Sequence, residues 1–403
     1  MKQICTPASF SSPAALAAPR LPLAGLLALA TAGFITILME ALPAGLLAQI
    51  SSDMAISEAL AGQMVTIYAL GSLLAAIPLA AATRSWRRRP LLQTALCGFV
   101  IVNTITAFSD NYVLTLAARF IAGVCAGLLW ALLAGFASRM VADALRGRAI
   151  AVTMVGIPLA LSLGIPFGTL LGSWIGWRYT FGSVSILTLM LIAWVQWRLP
   201  DFAGQAATRQ IPVIRVLGIP GVAAVLGVTF GFVLAHNMLY TYIAPFLNLA
   251  AMPGRIDLIL FIFGAMAFVG IWITGAGIDR WLRRLVLLST ALFMLAALAL
   301  AIGGTVPAVI YIATAVWGLA FGGAATLFQT AIANAAGDAA DVGQSMIVTV
   351  WNLAIAGGGA VGGAVLDIGG ARMLPWALLI LLLPAWLIAW RASGHGFPVT
   401  RSR

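Results

Sequence analysis

Twelve long apolar runs follow one another along the chain, and a short polar segment separates each run from the next. A transmembrane helix needs about 20 consecutive apolar residues, and the runs reach or approach that length. No segment between them is long enough to fold as a soluble domain, so the pattern predicts an all-α polytopic membrane protein with twelve spans. The predicted spans lie near residues 22–48, 60–82, 90–109, 113–137, 149–174, 178–197, 217–248, 257–277, 285–303, 306–333, 342–366 and 372–391.

The longest connection divides the twelve spans into two groups of six. We predict an N-terminal bundle at 21–197, a cytoplasmic linker at 198–216 and a C-terminal bundle at 217–391, with cytoplasmic tails at 1–20 and 392–403. The first tail is not expected to be a signal peptide, because prolines interrupt it and the apolar run that follows is too long.

Composition supports a membrane protein. The 403 residues are 62% hydrophobic and 8% charged, whereas soluble domains carry about 25% charged residues, and the mean hydropathy is +1.07. The net charge of +11 does not indicate nucleic-acid binding, since the charges lie in short loops and no soluble domain presents a recognition surface. The three cysteines have neither disulfide nor metal-ligand spacing, so no metal and no cofactor are expected.

The basic residues predict the orientation. If the N-terminus is inside, 18 of the 22 lysines and arginines lie on the inner side, and three, Arg178, Arg255 and Arg372, lie on the outer side. One more, Arg119, falls within a span. The excess of positive charge on the inner side predicts that both termini lie in the cytoplasm. The expected location of the protein is the cell (inner) membrane.

The two halves match each other at an offset of 195 residues. The segment "ATRSWRRRP" (82–90) aligns with "GIDRWLRRL" (277–285). The same offset pairs Gly123 and Gly127 with Gly318 and Gly322, and Gly164 and Gly168 with Gly359 and Gly363. Since each half has six spans, both have the same orientation, and the sequence predicts two parallel six-helix repeats.

Six segments carry a recognisable pattern: "RSWRRRP" (84–90), "RFIAGVCAG" (119–127), "GIPLALSLGIPFGTLLG" (156–172), "GWRYTF" (176–181), "YTYIAPF" (240–246) and "VTVWNLAIAGGGAVGGAVLD" (348–367). Together they resemble the major facilitator superfamily over nearly the whole chain, and within it the twelve-span drug:proton antiporters of the sugar (arabinose-like), nucleoside and drug efflux branch. The resemblance implies twelve helices around a central cavity and export by alternating access.

One loop departs from the family pattern. The resemblance implies a gating aspartate after the second span, but that place is held by Arg84 or Thr83. The second-half copy retains Asp279 and Arg280, so these two residues are the expected gating pair.

Glu40 and Arg119 are the two formal charges in the interior of the predicted spans, away from the span ends. Both lie roughly 10 Å below the outer surface at a rise of about 1.5 Å per residue, and the resemblance implies that their helices, the first and the fourth, are neighbours. A static ion pair between the two helices is one interpretation. Charges at membrane depth are usually functional, so the other is that Glu40 carries protons and Arg119 tunes it.

Other candidates concern gating and substrate contact. Pro43 and Pro245 loosen the first and seventh helices, and small residues at Gly164 and Gly168, with Pro166, let the fifth helix pack closely. Each has a plain packing interpretation too. Polar and aromatic groups that suit a small amphiphile or a polyol in an apolar cavity are His236, Asn237, Tyr240, Tyr242, Gln329, Trp351 and Asn352.

The sequence therefore predicts a secondary active transporter that exports a sugar, nucleoside or drug-like molecule by proton antiport. The expected partners are the substrate, protons and membrane lipids, and the chain is expected to act as a monomer. Proton-coupled uptake remains the alternative, since one titratable site serves symport or antiport. An integral membrane enzyme is less favoured, because no metal cluster, nucleophile elbow or carboxylate pair is found.

The orientation is testable by cysteine labelling. In a chain freed of its native cysteines, a membrane-impermeant thiol reagent added outside intact cells is expected to label a cysteine placed at Asp110 and to miss one placed at Arg209. Labelling at 209 but not at 110 would invert the predicted topology.

Overall fold

A computed structural model describes the chain from residue 21 to residue 397, apart from three short gaps. The predicted N-terminal tail, residues 205–212 in the middle of the predicted linker, and the last six residues lie outside the described residues. Arg84 and the side chain of Asp279 lie outside them too. The described ranges are 21–83, 85–142, 145–204 and 213–397.

The first half contains six membrane-spanning segments. The fifth of them is composite: α6 and α7 are followed by one π-helical turn at Ala160–Gly164 and then by α8. The helices of this half are α1 (Leu23–Gly45), α2 (Leu47–Asp53), α3 (Glu58–Ala82), α4 (Arg88–Phe108), α5 (Tyr112–Arg139), α6 (Arg146–Met154), α7 (Gly156–Leu159), α8 (Ile165–Ile175) and α9 (Trp177–Arg198).

The second half repeats the arrangement, and in the described residues twelve helical segments are long and apolar enough to cross a membrane. This confirms the all-α twelve-span fold. The helices are α10 (Val213–Leu217), α11 (Val222–Thr241), α12 (Ile243–Asn248), α13 (Ile256–Gly303), α14 (Pro307–Gly322), α15 (Ala324–Ala336), α16 (Ala340–Gly369) and α17 (Leu374–Arg391).

The eighth and ninth spans are joined by a sharp kink and not by the expected loop. Two helices meet within α13 at Trp281, where the backbone is non-helical with φ −129° and ψ 25°. The kink lies where the spanning segment Pro253–Ile278 is followed by the segment Arg280–Gly303.

Paired glycines show the repeat in three dimensions. A Cβ atom added to Gly123 on α5 would strike the backbone carbonyl of Tyr68 on α3, and one added to Gly318 on α14 would strike that of Phe263 on α13. Tyr68 and Phe263 are 195 residues apart, the same offset as the two glycines. The second and fourth spans of each half therefore pack backbone to backbone in the same way.

The arginine-rich loop of the first half binds an acid that the sequence did not suggest. Asp201, just beyond α9, accepts hydrogen bonds from Arg87 Nε (2.5 Å) and from the backbone N–H of Arg89 (3.2 Å). Arg139 donates to the Ala203 carbonyl at 2.8 Å. The first residues of the predicted linker are thus fastened to the N-terminal bundle.

The same contacts determine the charge of Asp201. Desolvation acts to raise the pKa of its carboxyl, but the hydrogen bonds from Arg89 and Arg87 and the charges of both side chains lower the pKa below its ordinary value. The carboxylate thus stays ionised and holds the loop where the family's own aspartate is missing.

The glycine contact gives a stability test within one helix. Gly123→Ala is expected to lower the free energy of unfolding by about 1–3 kcal/mol, because its methyl group has no room against Tyr68. Gly135→Ala, also on α5, is the matched control, since nothing lies within 4 Å of the added Cβ. Thermal unfolding in detergent measures both. Equal midpoints for the two variants would contradict the close packing of α3 and α5.

Candidate functional site

Arg119 is buried inside the first half, with its side chain 0% exposed. Its helix, α5, begins where the Asn111 side chain caps the backbone N–H of Leu114 at 3.0 Å, so Arg119 lies two turns inside the helix. The guanidinium lies over the Tyr68 ring, 4.7 Å from the centroid, and within 5.9 Å of the Phe181 centroid. Two aromatic faces therefore partly stabilise a charge that has left water.

Arg119 donates its hydrogen bonds to backbone carbonyls. Its Nε donates to the Met64 carbonyl at 3.3 Å and its Nη2 to the Glu40 carbonyl at 3.4 Å. Its Nη1 is buried and has no hydrogen-bond partner among the described residues. The structure thus brings α1 and α5 together at Glu40, which is the neighbourhood of the first and fourth spans that the resemblance implies.

The side chains of Glu40 and Arg119 do not form an ion pair among the described residues, whereas Arg87 pairs with Asp201 and Arg178 pairs with Asp53 and Asp110. The Glu40 residue is only partly buried, whereas Arg119 is enclosed. One guanidinium nitrogen therefore remains available to an acidic group.

The first and seventh spans break at corresponding places. Residue Leu46 separates α1 from α2, and Tyr242 separates α11 from α12. Pro43 lies inside the last turn of α1, and Pro245 lies within α12. A proline close to each break removes one helical hydrogen bond donor, so a bend is expected at these positions.

The glycine-rich face of the fifth span packs on α1. Added Cβ atoms on Gly164 and Gly168 would meet the side chains of Phe34 and Leu42. Pro166 is the second residue of α8 and follows the π-helical turn at Ala160–Gly164. The predicted gating residues of this span therefore form the tight contact between the first and fifth helices, which is the packing interpretation of the motif.

His236 lies at the centre of an aromatic cluster in the second half. Its ring stacks on Phe321, with centroids 3.5 Å apart and 12° between the planes, and lies 5.4 Å from the rings of Tyr240 and Trp317 and 5.5 Å from Phe263. These five rings, contributed by α11, α13 and α14, are called the aromatic box below. Trp317 and Phe321 were not predicted, although both fall on one face of the tenth span.

Three of the remaining predicted cavity residues, Asn237, Asn352 and Gln329, do not join the box. Asn237 and Asn352 each donate to the carbonyl one turn earlier, Val233 and Val348. Gln329 is exposed on α15, and its backbone carbonyl accepts a bond from Gln344.

Trp351 is half-buried on α16 and lies 6.3 Å from the Phe321 ring. It is therefore the one predicted residue of α16 that reaches the aromatic box. Arg280 is exposed on α13, and its expected partner Asp279 has a side chain outside the described residues.

Tyr242 lies at the junction between the two halves, at the end that the basic residues predict to be outside. Its hydroxyl donates to the Gly359 carbonyl of α16 at 2.7 Å and lies 3.4 Å from the Ala59 carbonyl of α3. The ring fits because added Cβ atoms on Gly62 and Gly362 would strike it. Tyr242 thus closes the outer end of the seam between α3 and α16.

Comparison with known proteins shows which family the chain resembles. The family model described as Major Facilitator Superfamily matches residues 29–359. The chain is 30% identical to the purine ribonucleoside efflux pump NepI of Salmonella enteritidis PT4 over 363 residues, which cover 88% of this chain and 90% of that protein. It is 28% identical to the pump of the same name from Shigella sonnei over 355 residues, covering 87% and 90%.

Solved structures share the fold at low sequence identity. The xylose transporter XylE from E. coli, in a partially occluded inward-open conformation, aligns with a TM-score of 0.71 and 14% identity, covering 92% of this chain and 99% of that one. A bacterial homologue of the human lysosomal transporter Spinster, inward-facing and occupied, aligns with a TM-score of 0.72 and 15% identity, covering 92% and 96%.

The contact of Tyr242 with α16 gives a test of the outer closure. Tyr242→Phe removes one hydrogen bond from the seam and is expected to speed labelling of a cysteine at Asn237 by an impermeant reagent added outside, by up to about tenfold. Tyr112→Phe is the matched control, because the Tyr112 hydroxyl donates to Leu60 within the first half, at 2.7 Å. If both variants label at the wild-type rate, the hydroxyl of Tyr242 does not hold the outer end closed.

Proposed function

The chain belongs to the major facilitator superfamily, and from this membership we propose that it exports a small neutral molecule in exchange for protons. The family consists of membrane transporters and not of enzymes. The parallel repeats and the seam between them are the parts that such a transporter moves when access alternates between the two sides.

The observation that carries the proposal is the place of Glu40 beside Arg119. A charge at membrane depth is costly unless it is paired or neutralised. In the proposed cycle, ionised Glu40 pairs with Nη1 of Arg119, which has no hydrogen-bond partner among the described residues, whereas protonated Glu40 is neutral and needs no counter-charge. The carboxylate therefore has two stable situations, and a change of access that exposes it to one side or the other turns them into proton uptake and release.

Proton entry supplies the driving force. The membrane potential contributes about 2.3 kcal/mol per charge per 100 mV, so one inward proton per cycle sustains roughly a fortyfold gradient of a neutral substrate. Arg119 stays charged throughout, because a guanidinium does not lose its proton in proteins. Its carbonyl and aromatic contacts hold it in place while Glu40 changes state.

A purine nucleoside is the substrate that the relatives suggest. Both NepI proteins are named as purine ribonucleoside efflux pumps, and the second half of this chain offers aromatic rings and neutral polar groups to such a molecule. We propose that both termini face the cytoplasm and that one chain transports alone, since both halves of the pathway belong to it.

The proposal is tested by proton-driven transport in proteoliposomes. Glu40→Gln keeps the size of the side chain but cannot ionise, so a pH jump is expected to drive no uphill movement of radiolabelled adenosine, while exchange down its own gradient continues. Glu58→Gln is the matched control, because Glu58 lies at the outer start of α3, away from Arg119. Uphill transport by the Glu40→Gln variant at the wild-type rate would show that Glu40 does not carry the proton.

Arg119 is tested in the same assay. Arg119→Ala is expected to slow uphill transport at least tenfold and to move its pH profile, because ionised Glu40 then has no cation to pair with. Arg119→Lys is expected to restore only part of the rate, since lysine lacks the planar donor fork. A normal rate and an unmoved pH profile in Arg119→Ala would contradict a coupled pair.

A further inference from the structure

The residues that follow the last helix fold back onto the second half. Helix α17 ends at Arg391, and six residues later the side chain of Phe397 is fully buried, at 0% exposure. The backbone N–H of Phe397 donates to the Ala392 carbonyl at 3.1 Å, which closes the turn. Residues 393–397 are called the C-terminal strap below. The ends of a chain are usually poorly ordered unless something ties them down, and here a buried aromatic ring does so.

Arg283 fastens the C-terminal strap to two spans. Its Nη1 donates to the carbonyls of Ala389 at 3.0 Å and Phe397 at 3.1 Å, and its Nη2 donates to the Trp390 carbonyl at 2.6 Å. The last carbonyls of a helix have no partner within the helix, so one guanidinium both caps the end of α17 and holds the strap. Arg283 lies two residues beyond the kink at Trp281. The start of the ninth span is thereby joined to the end of the twelfth.

Two glycines join the C-terminal strap to the seventh span. Gly221 directly precedes α11 and has φ +94°, and Gly396 in the strap has φ +90°. A Cβ atom added to Gly221 would strike the backbone of Gly396, and one added to Gly396 would meet the carbonyl of Gly221. Glycine accepts both the positive φ and the close approach without steric cost. The strap therefore contacts the ends of the seventh, ninth and twelfth spans, on the side that the basic residues predict to be inside.

The first half contains the counterpart of this contact. At the offset of 195 residues, Arg283 corresponds to Arg88 and Phe397 to Phe202. The Phe202 carbonyl accepts a hydrogen bond from the backbone N–H of Arg88 at 2.9 Å, and the Phe202 ring packs edge-on against an aromatic ring of α5. The same two positions meet in both halves, through a backbone donor in one and a guanidinium in the other. The segment 199–204, where the linker begins, thus lies on the first half as the strap lies on the second.

We infer that the C-terminal strap is a conformational device of the second half, which holds the inner ends of the seventh, ninth and twelfth spans together so that they move as one unit. The first half obtains the same fastening from the linker, because its chain continues beyond the sixth span. The second half has no linker after its twelfth span and uses the C-terminal segment instead. The strap acts on helix ends whatever the substrate is, so its role is separate from proton coupling.

Hydrogen–deuterium exchange on the full chain in lipid nanodiscs tests the strap. Arg283→Lys keeps the charge but lacks the planar fork that reaches three carbonyls. Amide exchange in the segments 392–397 and 219–222 is expected to become about tenfold faster, because the lost hydrogen bonds free both sides of the contact. Exchange in the segment 199–204 is expected to stay at the wild-type rate, since the linker has its own arginine contacts.

Arg284→Lys is the matched control, because Arg284 is the next arginine along the chain and its side chain is exposed. This variant is expected to exchange like the wild type. Phe397→Ala removes the buried ring and is expected to accelerate exchange in the same two segments as Arg283→Lys. Wild-type exchange in Arg283→Lys, or faster exchange that is equal in the segments 199–204 and 392–397, would overturn the inference, since the second result reports general loosening.

Two truncations separate the strap from the residues that follow it. Removal of residues 393–403 is expected to accelerate exchange in the segment 219–222 about tenfold, whereas removal of residues 401–403 alone is expected to leave it unchanged. If the longer truncation exchanges at 219–222 like the wild type, the strap does not hold the seventh span and the inference is wrong. If that chain does not fold, Arg283→Lys and Phe397→Ala decide.

Discussion

The absence of water in the bilayer core is the constraint on which the rest of this structure depends. Every backbone polar group in that region must find its partner within the protein, so the chain crosses the membrane as helices. The same constraint makes each polar or charged side chain within a span costly. Arg119 meets it through two backbone carbonyls and two aromatic faces. Its remaining nitrogen, Nη1, has no hydrogen-bond partner among the described residues, and Glu40 of the neighbouring first span supplies one of the two carbonyls.

Glycine permits the close helix contacts that a membrane protein builds without a hydrophobic driving force between its helices. Gly123 and Gly318 join the second and fourth spans of their halves in the same manner, and Gly62 and Gly362 make room for Tyr242 between the halves. The first set of contacts joins helices within each half. The second set joins α3 to α11 and α16 across the seam, so the same residue type makes close contacts both within and between the halves.

Duplication allowed the two halves to keep one architecture and to separate their chemistry. The helix breaks at Leu46 and Tyr242 correspond, and so do the glycine contacts. The positions around the first break hold Glu40 beside Arg119, whereas those around the second hold His236 among aromatic rings. The two copies of one fold therefore carry different side chains at similar places.

The sequence by itself determined the twelve spans, the parallel repeats and the shared depth of Glu40 and Arg119, because apolar length, a fixed offset and helical rise are all local or periodic properties. It also identified His236 and Tyr240 as polar residues in an apolar span. It did not predict that Asp201 pairs with the arginine loop, that Trp317 and Phe321 enclose His236, or that Tyr242 bonds across the seam. Only the tertiary structure decided these contacts, because each joins residues that are far apart in the sequence, and their meeting depends on how helices rotate and pack against one another.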